Sequence, residues 1–342
     1  MRIVREAEET ARKFAPEVKT ASCAYGELLD HKLIFTSDGA AVELHDTKPE
    51  FRVLAVAGSG SDMTSALEAR GVTGGWADLF GKVDPAAMAR RAAETAVKLF
   101  AAKLPKGERT TIILDPGMAG LISHEAIGHT VEADFVLSGS AVKDKLGQGV
   151  ASEQVTLVDS GPSDIQPAGA GTIAVDDEGV IAQRTVVIDH GILRSYLHNR
   201  ETAGLFGVAP TGNARAFEYS DEPLIRMRNT FIEAGPFSLD ELVEDVQHGY
   251  LIKGPRNGQA DANGEFMFGA QEAYLIEHGQ IGSLMRGPTI SGNAFEVLQS
   301  VDGISRDFAL DMGAGYCGKW QLMKVDGGGG YIRCKALVGG LQ

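Results

Sequence analysis

Two histidines five residues apart, with a glutamate beside the first, constrain this chain more than any other feature. The run His124-Glu125-Ala126-Ile127-Gly128-His129 comes shortly after an apolar, strand-like stretch. Neutral imidazole is a good ligand for Zn²⁺, and a glutamate next to one ligand can hold and deprotonate a water that the ion has acidified. On a regular helix of 3.6 residues per turn, side chains four apart are rotated by about 40°, whereas side chains five apart are rotated by about 140°. Two imidazoles in an HExxxH arrangement therefore cannot meet one ion on an undistorted helix. The spacing predicts a local widening, either a π-type turn or an unwound stretch, with Gly128 as the residue that allows it. The apolar positions agree, because Leu121 and Ile122, then Ala126 and Ile127, then Val131 recur at intervals of five.

A catalytic zinc site with an open position needs a third protein ligand. Glu132, just past His129, is the local candidate. Cys317 is the distant one, in Gly-Ala-Gly-Tyr-Cys-Gly-Lys, a segment expected to form a glycine-rich turn that lets the backbone approach closely. Local sequence leaves the choice between them open.

A wider set of motifs bears on it. His124 to Asp134 (HEAIGHTVEAD), Ile173 to Gly179, Pro210-Thr-Gly-Asn213, Glu272 to Glu277 and Cys317-Gly-Lys319 occur in this order over most of the chain from about Asp115 onward. Together they resemble the TldD/PmbA family of metallopeptidases, specifically its metal-binding TldD branch. That resemblance implies His124, His129 and Cys317 as metal ligands and Glu125 as general base. It makes Glu132 an outer partner that orients an imidazole by accepting its other N–H. It further implies unfolded or small peptides as substrate, held as an added strand at a sheet edge, and a homodimer or a heterodimer with a related subunit. The front α/β segment usual in the family is expected to be missing or much reduced, and the tail beyond Lys319 resembles the family less.

If zinc is bound, two neutral imidazoles and one thiolate leave the ion a net charge of about +1, enough to acidify water toward neutrality. The function expected is that of a zinc metallopeptidase. The alternatives are a non-catalytic peptide-binding or scaffolding subunit of the same kind of assembly, and a metal-dependent amide hydrolase acting on small molecules.

Composition narrows the class. A net charge of −14 repels phosphate backbones, and no lysine and arginine cluster with interleaved aromatics relieves it, so nucleic acid is not an expected partner. No apolar run is long enough to cross a membrane, and the opening Met1-Arg2-Ile3-Val4-Arg5-Glu6 is too charged for a signal peptide. Three scattered cysteines, Cys23, Cys317 and Cys334, do not make a disulfide framework; a reducing, cytoplasmic location is the expectation, with Cys23 read as packing.

The fold expected is α+β, with a small N-terminal α/β part (1–105) followed by a mainly antiparallel β domain (106–342) that carries the HExxxH helix. The first part opens with an amphipathic helix ended by Pro16. Strands at Lys32–Thr36 and Phe51–Val56 follow, then a helix capped by Asp84 with Pro85 at its first position and Met88, Ala92, Ala96, Leu99 and Phe100 as its apolar stripe. Leu104-Pro-Lys-Gly107 is the expected division. Beyond it, Thr110–Leu114 reads as a strand. Asp189-His190-Gly191 and Glu277-His278-Gly279 read as hairpin turns and as a weak internal echo, with neither histidine a ligand. Ser238 and Glu241 form a capping box, with Phe237 and Leu242 as a staple, for a helix expected to end at Gly249 with His248 in its last turn. Gly327 to Gly330, lacking a following Lys-Ser/Thr pair, is expected to be a flexible turn rather than a phosphate cradle, and Gly58 to Asp62 an exposed loop.

Overall fold

The computed structural model describes residues 1–81, 83–162, 164–165 and 168–340. Helix α1 (Arg2–Arg12) leads into a three-stranded antiparallel meander, β1 (Val18–Phe35), β2 (Ala41–Ser59) and β3 (Asp62–Gly71). A short helix α2 (Trp76–Phe80) precedes α3 (Pro85–Ala101), whose start is set as expected: Asp84 accepts the amide of Ala86 at 2.9 Å, and Pro85 takes the first helical position. Met88, Ala92, Ala96 and Leu99 are buried against Phe51, Val53, Ala55 and Ala66 of the sheet. The repeated alanines on that helix face allow α3 to lie close to the strands, and α1 adds Ala7 and Ala11 to the same core.

The second part is built around β4 (Glu108–Leu114), inside a seven-stranded sheet whose pairing closes on itself. From β4 the ladder runs in one direction to His248–Ala260 and on to Glu265–Glu277. In the other it runs to Ile332–Gly340 and Pro288–Asn293, and the latter pairs back onto Glu265–Glu277. Closure removes most free edges, and alternating side chains such as Ile112, Leu114, Ile252, Phe268, Ile290 and Val338 fill the inside. A six-stranded sheet lies beside it, in the order Ala309–Leu310, Asp326–Gly329, Asn229–Ile232, Leu157–Ser160, Arg184–Asp189, Ile192–Leu193. The fold is α+β.

Helix α4 (Pro116–Leu121) leaves the end of β4 and wedges between these sheets, with Asp115 accepting the amide of Met118 at 2.9 Å as its cap. This wedge explains the glycine run that looked like a flexible turn. Asp326–Gly329 is a buried strand, parallel to Asn229–Ile232, and a Cβ on Gly120 of α4 would stand 2.5 Å from the carbonyl carbon of Gly327. Side chains on either element would push helix and strand apart. The glycines here buy proximity, which a sequence pattern does not distinguish from looseness.

Two other expectations change. The capping box at Ser238 and Glu241 is present, but its helix covers only Leu239–Glu244, and His248 begins the strand His248–Ala260 instead of closing a helix. There its ring nitrogen pairs with Glu108 at 2.8 Å, because the demand for a strand beside β4 outweighs the local helical pattern. Gly58 to Asp62 is the tight turn of the β2–β3 hairpin. His190 and His278 do sit in hairpin turns, at φ of 46° and 50°, each followed by a glycine at positive φ. The echo between them is confined to turn chemistry, since their hairpins belong to different sheets.

Candidate metal centre

The predicted widening is present. After α4 the chain continues without a break into a π-helical turn, Ile122–Gly128, then a 3-10 turn, His129–Val131, and helix α5 (Ala133–Leu137). The amide of His129 donates to the carbonyl of His124, five residues back, so the π-type bond joins the two histidines themselves. Ile122, Ala126, Ile127 and Val131 are all buried, which shows what keeps the widened turn: its interval-of-five stripe faces the core. The part played by Gly128 differs from the expectation. Its φ and ψ of −55° and −46° suit any residue, but a Cβ there would lie 1.9 Å from Sδ of Met227. Small size, not backbone freedom, is what the position requires.

Cys317 lies on a strand, Tyr316–Lys319, of a two-stranded hairpin completed by Gln321–Lys324, and not in a glycine-rich turn. One ligand atom each from His124, His129 and Cys317 falls within 4.8 Å of the others, and Cys317 Sγ is 3.3 Å from His129 Nε2. The two rings stand nearly perpendicular, with centroids 5.3 Å apart. His124 is 1% exposed, and neither of its ring nitrogens has a hydrogen-bond partner among the described residues. Orphaned imidazole nitrogens deep in a protein are costly unless something binds them. Two imidazoles and a thiol at this separation suit a borderline-soft divalent cation. The donor set thus fits zinc.

Charge follows the same geometry. Burial pushes the Cys317 thiol up, but the charge of the neighbouring His124 and the contact with His129 outweigh it, bringing it down to about 4. Burial pushes both imidazoles down; the Cys317 thiolate at His124, and Glu132 joined by that thiolate at His129, overcome this and raise them. Such a trio holds its thiolate ready, and a cation entering it must displace ring protons.

Glu132 is fully buried and accepts from His129 Nδ1 at 2.9 Å and from Lys319 Nζ at 3.1 Å, which leaves Nε2 of that ring facing Cys317. Lys319 also reaches Asp134 at 2.6 Å and the carbonyl of Ile225 at 3.0 Å, with its ammonium 4.4 Å from the centre of the Phe135 ring. Because Lys319 shares a strand with Cys317, it ties the sulfur-bearing hairpin to the histidine-bearing helix. Arg226, fully buried, is a second tie that the sequence did not single out. Its Nη2 donates to the carbonyl of Cys317 at 2.6 Å, while its own carbonyl accepts from Asn213, which in turn bonds Asp159 at 2.8 Å. The Pro-Thr-Gly-Asn motif is thereby seen to brace the hairpin. An arginine in isolation carries no spacing signal for this.

Glu125 points into a cavity of about 450 Å³ that His129, Phe135, Lys319 and Trp320 also line. Its carboxylate is 3.8 Å from His129 Nε2, and about a third of the side chain is exposed. Cys334 is buried in Ile332–Gly340 with its thiol pushed up by burial, and it is not part of the group. Cys23, on β1, packs against the first core.

Residues 1–100 match the family model for the PmbA/TldA metallopeptidase central domain, and residues 107–338 the one for the PmbA/TldA metallopeptidase C-terminal domain. This chain belongs to the PmbA/TldD metallopeptidase family. A metalloprotease of Methanothermobacter thermautotrophicus is 38% identical over 94% of this chain and 70% of its own length. A protein of Saccharolobus solfataricus named as a zinc metalloprotease TldD homolog is 33% identical over 95% of this chain and 72% of its own. Among solved structures, TldE from Thermococcus kodakarensis superposes with a TM-score of 0.78 over 99% of this chain and 74% of its own, at 20% identity, a likeness of fold. Among the described residues of this PmbA/TldD chain, no helix is long and apolar enough to cross a membrane.

Glu132→Gln keeps the shape of the His129 contact but removes its charge. Metal affinity is expected to fall roughly 10- to 100-fold, the usual cost of losing an outer carboxylate partner, in a competition titration with a chromogenic chelator. Unchanged affinity would deny Glu132 any part in orienting the ring.

Proposed function

We propose that this chain is a zinc-dependent metallopeptidase that hydrolyses peptide bonds in unfolded or small peptides. His124, His129 and Cys317 hold the ion, Glu125 is the general base, and Glu132 orients His129. The observation that carries this reading is the convergence of two imidazoles and a distant sulfur, with a carboxylate beside them at the wall of an open cavity. When bound, zinc supplies a Lewis acid that polarises the scissile carbonyl and makes a neighbouring water more acidic. Glu125 takes the proton from the attacking water and returns it to the departing amine. Partial exposure suits that shuttle, because the carboxylate meets solvent on one side and the ligand cluster on the other. The decisive experiment is cleavage of an unstructured protein by the zinc-loaded chain, followed by mass mapping. Cleavage that stops on chelation and returns with zinc is expected; chelator-insensitive cleavage, or none from a fully loaded chain, would defeat the reading.

Trp320 bears on what the cavity accepts. It forms the tip of the Cys317 hairpin at φ of 59°, unusual for a bulky residue, and it is 88% exposed. Holding an indole in a strained backbone, in water, has no folding benefit. We assign it to gripping an apolar peptide side chain next to Phe135. Trp320→Gly relieves the backbone while removing the indole, so kcat/KM is expected to drop about tenfold for peptides with a large apolar residue near the cleaved bond, and little for peptides with serine there. Equal losses for both would reject the assignment.

The domain division is proposed at Leu104–Gly107, supported by separate buried clusters before and after it. Self-association, or pairing with a related subunit, is proposed from the family resemblance, and a reducing, cytoplasmic setting, in which a thiol can serve a metal, from the charged opening residues and the three scattered cysteines.

A further inference from the structure

We propose that His31, Glu43 and His45 form a second, solvent-facing site for a borderline divalent transition metal such as zinc or nickel, separate from the buried centre. β1 and β2 run on past the three-stranded sheet as a ribbon, and its ladder sets His31 directly opposite His45. The two rings stack with centroids 4.0 Å apart and planes 18° from parallel. Both Nε2 atoms lie close to a single oxygen of Glu43, at 2.9 Å and 3.3 Å. Donor atoms from all three residues fall within 4.8 Å of one another.

These contacts do little for the fold. All three side chains are more than half exposed, so their mutual hydrogen bonds compete with water. The opposite face holds the ribbon in place: Lys32 donates at 2.7 Å to both Asp177 and the carbonyl of Ala216. Register and anchoring thus bring the donors together without help from a metal, which lowers the ordering cost of binding one. Neighbours on the outer face, Glu27, Leu29, Leu33, Phe35, Ala41 and Thr47, include no cation to repel it. Two imidazoles and one carboxylate favour zinc, nickel or copper(II) over magnesium or calcium, which prefer all-oxygen shells. An exposed site of three ligands leaves positions for water, so exchange is fast and affinity falls below that of the buried thiolate centre.

The test is nickel titration by calorimetry of the chain carrying one zinc per molecule, which fills the tighter buried centre alone, compared with His31→Ala/His45→Ala and with Glu43→Gln. Wild type is expected to take up nickel stoichiometrically at micromolar concentrations, Glu43→Gln to bind it several-fold more weakly, and the double variant to show no such uptake while keeping its melting temperature and buried metal. Repeating the titration in a Cys317→Ala chain separates this site from the reading of the buried centre: the dependence on His31 and His45 should persist there. A wild-type chain that takes up no nickel, or a double variant that binds as wild type does, overturns the proposal.

Discussion

Cys317→Ala is expected to empty the buried centre. The weakening should exceed the roughly 10- to 100-fold typical of losing an outer partner, because on the proposed reading both a ligand and the negative charge that offsets the cation are removed. Elemental analysis after dialysis against a weak chelator should fall from about one zinc per chain toward zero, and peptide cleavage should go with it. Cys334→Ala is the control: it lies in the closed sheet away from the cluster, so its replacement should lower the melting temperature while leaving the metal bound. The direction of pH dependence follows from the same cluster. Against the pull of burial, His124 is raised by the Cys317 thiolate and His129 by Glu132 together with that thiolate, so in acid their rings hold protons that a cation must expel. Metal affinity in the wild type should therefore decline as pH falls, and it should do so above the pH at which free imidazole would account for the loss. Zinc content unchanged in Cys317→Ala would remove the thiolate from the ligand set and reopen the place of the third ligand.

Glu125→Gln separates holding the metal from using it. The amide keeps the size of the carboxylate but cannot take a proton from water, and a positioned general base contributes typically 10²- to 10⁴-fold. A loss of kcat in about that range is expected with zinc content unchanged, because Glu125 is outside the group formed by His124, His129 and Cys317 and is partly exposed. Activity within a few fold of wild type would eliminate Glu125 as the base. Zinc lost together with activity would instead make its role structural.

How much of this was legible beforehand varies with the physics involved. The π turn could be read because a period is a local property: histidines five apart and an apolar stripe with the same interval are compatible with few backbones. The caps at Asp84 and Ser238 were legible for the same reason, since a side-chain oxygen and the amide it accepts are neighbours in the chain. Where reading failed, the deciding partner lay far away. Gly128 is small because of Met227, Gly120 because of Gly327, and His248 is extended because β4 needs a neighbour. Arg226 and Lys319 acquired roles only when the hairpin carrying Cys317 was seen to rest on them.

By itself, then, the sequence determined the chemistry available to this chain: two imidazoles bound to a widened helical turn, a carboxylate between them, and one local and one remote candidate for the third donor, Glu132 and Cys317. The tertiary structure alone decided which candidate arrives. It brings Cys317, 188 positions along the chain, to 3.3 Å from His129 Nε2, and it sets Glu132 behind that ring, where it holds Nδ1 and Lys319. The reason is that a local motif specifies distances along the chain, whereas coordination depends on distances through space. Those are set by the packing of the closed sheet, the glycine-lined wedge of α4 and the buried arginine that braces the hairpin.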